Sequence, residues 1–257
     1  MTDQHRNDRP FLREIVLIRH GESLANVAAA RADADGSETI DAPARDADVE
    51  LSETGEGQAT TLAAPLRALV DDSTEVWSST YRRARQTIEI GLAQAEIEDH
   101  PVRLDERLRD RELGILDLLT RLGVARRFPD EQRRRDWLGK FSYRAPGGES
   151  WADVALRLRS FLRDVEAVDD IAETPPGRLV IATHDAIVTL FVYVCTGLTE
   201  AELLDFASHH LVANASVTTL TRATRGGSWS LASFSDVTHL ETVGETVTAH
   251  PGDRNDT

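Results

Sequence analysis

Two histidines stand where an imidazole could attack an electrophile or carry a proton. Glu14-Ile-Val-Leu-Ile-Arg19 is an apolar run of strand length that ends in His20-Gly21, and Arg178-Leu-Val-Ile-Ala-Thr183 is a second that ends in His184. Imidazole can act as nucleophile, general acid or base, or metal ligand. A guanidinium beside it adds another capacity, because its fork grips phosphate or carboxylate through two parallel hydrogen bonds. Arg19 directly precedes His20, and Arg82, Arg83 and Arg85 cluster further along. Taken singly, each feature has a plain reading. A histidine at a strand end is more often a hydrogen-bonded structural residue, and an arginine cluster is more often a solvated helix face. Arg82 and Arg85 are read that way. The adjacent His209-His210 cannot both face one site on a helix, and no other His, Asp and Glu set has ligand spacing, so no metal site is implied.

The elements that must position these residues alternate between strand and helix. After His20 comes an Ala-rich helical stretch, then an Asp- and Ala-rich loop over 31–50. Ser52 can cap a helix running to about Val70, with Pro65 as a kink or break. A short strand at Glu75–Trp77 leads into a helix over roughly Tyr81–Leu92, and Val102–Leu104 is extended. Ser150 and Asp153 have capping-box spacing, and Val154, Leu158, Phe161, Leu162 and Val165 recur at helical spacing behind them. An apolar helix over Ala186–Cys195 follows His184, and strands near Ser216–Thr221 and Ser228–Phe234 come last. This order predicts an α/β three-layer sandwich, with a mostly parallel central sheet and helices on both faces. Ligands of such sheets bind beyond the carboxyl ends of the strands, where His20 and His184 both fall. One domain is expected over 1–257, with its core at about 12–243 and a polar tail from Gly244 that frays.

Composition narrows the function classes. A net charge of −15 argues against general nucleic-acid binding. The polar start has no apolar leader, the longest apolar runs are far too short to span a bilayer, and the lone Cys195 permits no internal disulfide. A cytoplasmic location is the expectation. Of the 29 basic residues 28 are Arg, with Lys140 the single lysine, a bias that codon usage can produce without any phosphate chemistry.

Five stretches follow one another along the chain: Leu17-Ile-Arg-His-Gly-Glu-Ser23, Leu51-Ser-Glu-Thr-Gly-Glu-Gly-Gln58, Ser78-Ser-Thr-Tyr-Arg-Arg-Ala-Arg-Gln-Thr87, Gly147-Gly-Glu-Ser150 and Ala182-Thr-His-Asp185. In sequence and order they resemble the histidine phosphatase superfamily, whose phosphoglycerate-mutase-like members open on an Arg-His-Gly signature. The last stretch has Asp185 where the family usually has Gly. The resemblance implies that His20 is the nucleophile and becomes phosphorylated. It implies that Arg19 and Arg83 hold the phosphoryl oxygens, with His184 donating to them and Ser23 and Asn26 as further donors. No cofactor is implied.

The family supplies the leaving-group proton from a Glu four residues before a Gly. In Leu104-Asp-Glu-Arg-Leu-Arg-Asp-Arg-Glu-Leu-Gly114 that register gives Asp110, and an alternative register gives Glu106. Asp110 is preferred on the glycine spacing, although its side chain is shorter by one carbon–carbon bond, ~1.5 Å, so the backbone must come closer to the substrate. The resemblance thus implies a phosphomonoesterase acting on a small phosphorylated substrate, working alone or as a homodimer. A cofactor-dependent phosphoglycerate mutase and a catalytically silent phosphate-binding module are the alternatives. The Arg-rich segment 121–144 could contact a second anionic group, with Tyr143 and Arg144 the preferred candidates beside the Gly-Gly turn.

Overall fold

A computed structural model describes residues 10–250 apart from 44, 98 and 173. Six strands form one sheet: β1 (Glu14–Arg19), β2 (Thr74–Ser79), β3 (Val102–Asp105), β4 (Arg178–Thr183), β5 (Val217–Thr221) and β6 (Ser230–Asp236). Their order is β3-β2-β4-β1-β5-β6. The first four of these run parallel, and β5 and β6 add an antiparallel edge. The helices are α1 (Leu24–Ala34), α2 (Glu53–Thr61), α3 (Ala63–Leu69), α4 (Arg82–Gln94), α5 (Arg121–Arg127), α6 (Pro129–Ser142), α7 (Trp151–Ile171), α8 (Asp185–Thr196), α9 (Glu200–His209) and α10 (Thr238–Val243).

The three-layer expectation holds, and the strand composition explains it. Side chains alternate across a strand, so a strand buried on both faces must be apolar at every position. In β1, Ile15 and Leu17 enter the core beneath α7 and α8, while Val16 and Ile18 enter the opposite core beneath α3 and α4. Leu179 and Ile181 of β4 split from Val180 and Ala182 in the same way. Phe161 and Phe191, both fully buried, meet edge to face where α7 packs on α8. The capping box at Ser150 and Asp153 is present in both directions and starts α7.

The expected helix from Ser52 divides at Leu62 into α2 and α3, with Pro65 in the first turn of α3, where a missing N–H costs no hydrogen bond. The tail differs from expectation up to His250. Gln58 Nε2 donates to the carbonyl of Thr246 and to Thr248 Oγ1, both at 2.9 Å, and Asn214 N donates to the Thr248 carbonyl at 2.9 Å. A polar segment therefore docks through its carbonyls and Thr248, whose Oγ1 also donates to Asn214 Oδ1 at 3.1 Å. Residues 251–257 of that expected fraying tail lie outside the described residues.

Candidate active site

The parallel register brings the two histidines together. Arg19 pairs with Thr183 across β1 and β4, and His20 N donates to the Thr183 carbonyl at 2.8 Å, so His20 and His184 leave the sheet side by side. Their ring centroids lie 5.2 Å apart. Ser79 ends β2, Arg83 lies in the first turn of α4 behind it, and the loop after β3 carries Asp110. The carboxyl ends of all four parallel strands thus feed one cavity of about 360 Å³ that includes Arg19, His20, Arg83 and Asp110 in its lining. A volume of that order suits a small metabolite.

The His20 ring is held in one tautomer. Its Nδ1 lies 2.7 Å from the Gly21 carbonyl, so Nδ1 carries the hydrogen and Nε2 presents a lone pair. That lone pair accepts a hydrogen bond from Arg83 Nε at 3.2 Å. The turn behind the ring is fixed by α2. A Cβ on Gly55 would stand 1.9 Å from the Glu22 carbonyl, so glycine alone lets this helix approach, and Gln58 Oε1 accepts from Glu22 N at 2.9 Å. These contacts give the Leu51–Gln58 stretch its function, which is to hold the loop that aims His20.

His184 is fully buried, and Ser79 Oγ lies 2.9 Å from its Nε2. Ser79 Oγ accepts from Tyr81 N, and in the tautomer whose Nε2 takes the Ser79 hydrogen, His184 carries its own hydrogen on Nδ1. That Nδ1 and Arg19 Nε are buried and have no hydrogen-bond partner among the described residues. Such donors are costly unless something accepts from them. His184 Nδ1 stands 3.4 Å from Asp110 Oδ2, beyond a good hydrogen bond. Arg19 is 3% exposed, and its terminal nitrogens donate to the carbonyls of Val212 and His250. Burial lowers its pKa, yet a guanidinium starts so high that it keeps its charge.

Burial lowers the pKa of His20 well below the ordinary value, and Arg83, His184 and Arg19 push it the same way. Burial does the same to His184, with Arg83, Arg157 and Arg19 adding to it. Both rings are therefore neutral at pH 7. The unfolded chain protonates these histidines near pH 6.5 while the folded chain does not, so stability must fall as pH drops below that value. The expected slope is up to about 1.4 kcal/mol per pH unit for each imidazole. Melting temperatures between pH 7 and 5.5 test this, and a flat profile contradicts it.

The sequence profile of the histidine phosphatase superfamily (branch 1) matches residues 15–236. The chain belongs to that superfamily. Over 206 residues it is 32% identical to phosphoglycerate mutase-like protein AT74H of Arabidopsis thaliana, covering 72% of this chain and 67% of that one. It is 29% identical to fructose-2,6-bisphosphatase of Saccharomyces cerevisiae over 70% of its own length but only 34% of the yeast protein. Among solved structures, a mycobacterial glucosyl-3-phosphoglycerate phosphatase matches at a TM-score of 0.67 and 26% identity, covering 87% of this chain and 98% of that one.

Six of the seven expected site residues line one cavity, and the seventh, His184, lies fully buried behind it with Nδ1 3.4 Å from Asp110 Oδ2. Ser23 and Asn26 line it while bonding each other in the capping box of α1, at 3.1 and 3.2 Å. Asp110 Oδ2 is 3.1 Å from Arg83 Nη2, whereas Glu106 is exposed and does not reach the cavity. The short Asp side chain arrives because its loop is clamped. Arg157 Nη2 donates to the Asp110 carbonyl at 3.1 Å, and Arg157 Nε is held by Glu149 at 3.0 Å. The Gly-Glu-Ser stretch thus places Asp110 besides starting α7.

The expected second-anion contacts are corrected. Tyr143 is buried, with its hydroxyl donating to Glu131, and Arg144 pairs with Asp153, so both point away from the cavity. Lys140 and Arg121 do line it. Arg82 and Arg85 pair with Glu50 and Glu89 on the surface, as solvated side chains do. Asp185 lines the cavity, and its Oδ1 accepts from Ala186 N at the start of α8. Asp46, Ser79 and His250 belong to the site and carried no functional expectation. Ser79 lay within a matched stretch and could have been found there. Asp46 sits in the loop without periodicity, and His250 in the tail.

Proposed function

We propose that the protein is a phosphomonoesterase that works through a phosphohistidine on His20, in the cytoplasm and without a metal. The observation that carries this is the buried, neutral His20, with Nδ1 tied to Gly21, Nε2 on Arg83, the His184 ring 5.2 Å away and Arg19 close enough to act on its charge. A nucleophile needs a lone pair, and a transferring phosphoryl group needs its equatorial oxygens held by pre-placed donors. Arg19 Nε and His184 Nδ1 are such donors. His20 Nε2 attacks phosphorus, the bond to the ester oxygen breaks, and Asp110 delivers the proton that the leaving alkoxide takes up. Water then attacks the phosphohistidine, Asp110 takes its proton, and inorganic phosphate leaves.

If Asp110 carries that proton, its importance grows with the basicity of the leaving group. Asp110→Ala is expected to slow hydrolysis of an alkyl phosphate by about 100-fold or more, and of an activated aryl phosphate far less. Glu106→Ala should leave both near wild type. The reverse order would give the role to Glu106.

The hydrolase reading is tested by following both products from chelator-treated protein. Inorganic phosphate should appear in step with the free alcohol. Recovery of the phosphoryl group at a second position of phosphoglycerate would make the protein a mutase, and no turnover across a panel of phosphorylated metabolites would make it a silent binding module.

A further inference from the structure

Four of the five N–H groups of Arg83 are taken at 3.2 Å or less, and the fifth faces Asp46 Oδ2 at 3.4 Å. A guanidinium carries five N–H groups in a fixed fork. Nε–H goes to His20 Nε2 at 3.2 Å. Nη1 donates to the Asp46 carbonyl at 2.7 Å and to Asp46 Oδ1 at 2.8 Å. Nη2 serves Asp46 Oδ2 at 3.4 Å and Asp110 Oδ2 at 3.1 Å. Three of the five bonds go to one residue, and two of those three to its carboxylate. Arg83 itself is 4% exposed, so it cannot find new partners by turning to solvent.

We infer that Asp46 is an internal competitor for the phosphoryl site, holding the fork of Arg83 in the resting protein until a phosphoryl group displaces it. This rests on the assignment of Arg83 to the phosphoryl oxygens. A carboxylate on a guanidinium fork has the charge and bond geometry of a phosphoryl edge, so one can replace the other. The segment that carries Asp46 is held on both sides of it. It is anchored before Asp46 by the Thr39–Leu119 bridge and by Glu38 with Arg126 and Arg127, and after it by the Ser23–Leu51 bridge. Between these anchors Asp46 opens a single turn of 3-10 helix, Asp46–Asp48, and its side chain is 36% exposed. Burial raises the Asp46 pKa, against the pull of Arg83.

The exchange makes Asp46 a specificity-determining residue. A phosphomonoester dianion brings more charge to Arg83 than Asp46 does and displaces it. A monoanion such as a carboxylate or phosphodiester brings no more than Asp46 already supplies, and is turned away.

Equilibrium titration of the full-length protein with inorganic phosphate, and separately with acetate, tests this without requiring turnover. Asp46→Asn and Asp46→Ala should each bind phosphate about tenfold more tightly than wild type, and acetate should bind the variants only. Asp48→Asn removes a charge from the same turn, where Asp48 pairs with Arg45 away from Arg83, and should leave phosphate affinity unchanged. Unchanged or weaker phosphate binding in both Asp46 variants, or an equal gain in Asp48→Asn, would overturn the proposal. So would a fall in kcat confined to poor leaving groups with phosphate affinity unaltered, which would make Asp46 a proton carrier. Phosphate binding by none of the proteins would overturn both this proposal and the role given to Arg83. Tighter phosphate binding in a protein whose His20 is never phosphorylated would leave Asp46 standing and remove the hydrolase reading alone.

Discussion

Alanine at His20 is expected to abolish turnover, with a loss of about 10,000-fold or more, because the whole covalent route passes through one lone pair. No neighbour can replace it. His184 is fully buried, outside the residues that line the cavity, and its Nε2 is taken up by Ser79. The fold should survive the change. Truncation removes a neutral ring from between Arg19 and Arg83, and those cations keep their partners in the Val212 carbonyl, Asp46 and Asp110. The melting temperature of His20→Ala should therefore stay close to that of wild type while activity vanishes, a separation that marks a functional rather than a structural residue. Substantial residual hydrolysis by a folded His20→Ala protein would contradict the role.

Replacing Arg83 by lysine is expected to cost about 100- to 1,000-fold in kcat/KM, although the charge is retained. Lysine offers a point charge on a flexible stem. It cannot at once reach His20 Nε2, the Asp46 side and Asp110, which Arg83 spans with one planar group. The loss should appear in kcat as well as KM, since the equatorial oxygens carry more charge in the transition state than in the bound ester. An effect confined to KM would reduce Arg83 to a binding residue.

Much of this site was legible in the sequence, for identifiable reasons. β1 and β4 are buried on both faces, so their apolar runs were unbroken, and a parallel pair fixes that His20 and His184 emerge at the same end. The Ser150–Asp153 capping box is local and needs no tertiary information. Asp110 was found by its distance from Gly114, yet what brings its shorter side chain into range is Arg157 reaching across from α7, a contact no spacing reveals. Asp46 was illegible because its role depends on one long-range pairing, with Arg83, from a segment without periodicity. Arg144 misled for the converse reason. Closeness in sequence to a matched turn says nothing about direction, and the capping residue Asp153 draws Arg144 outward.

The proposed hydrolysis depends on phosphorylation of His20. Mixing the chelator-treated protein with an aryl phosphate, quenching in alkali to preserve phosphohistidine, and locating the label by mass spectrometry shows whether that step occurs. The expected result is a single phosphoryl group on the peptide containing His20, absent from His20→Ala. Turnover without that label, or a label on another residue, would contradict the mechanism.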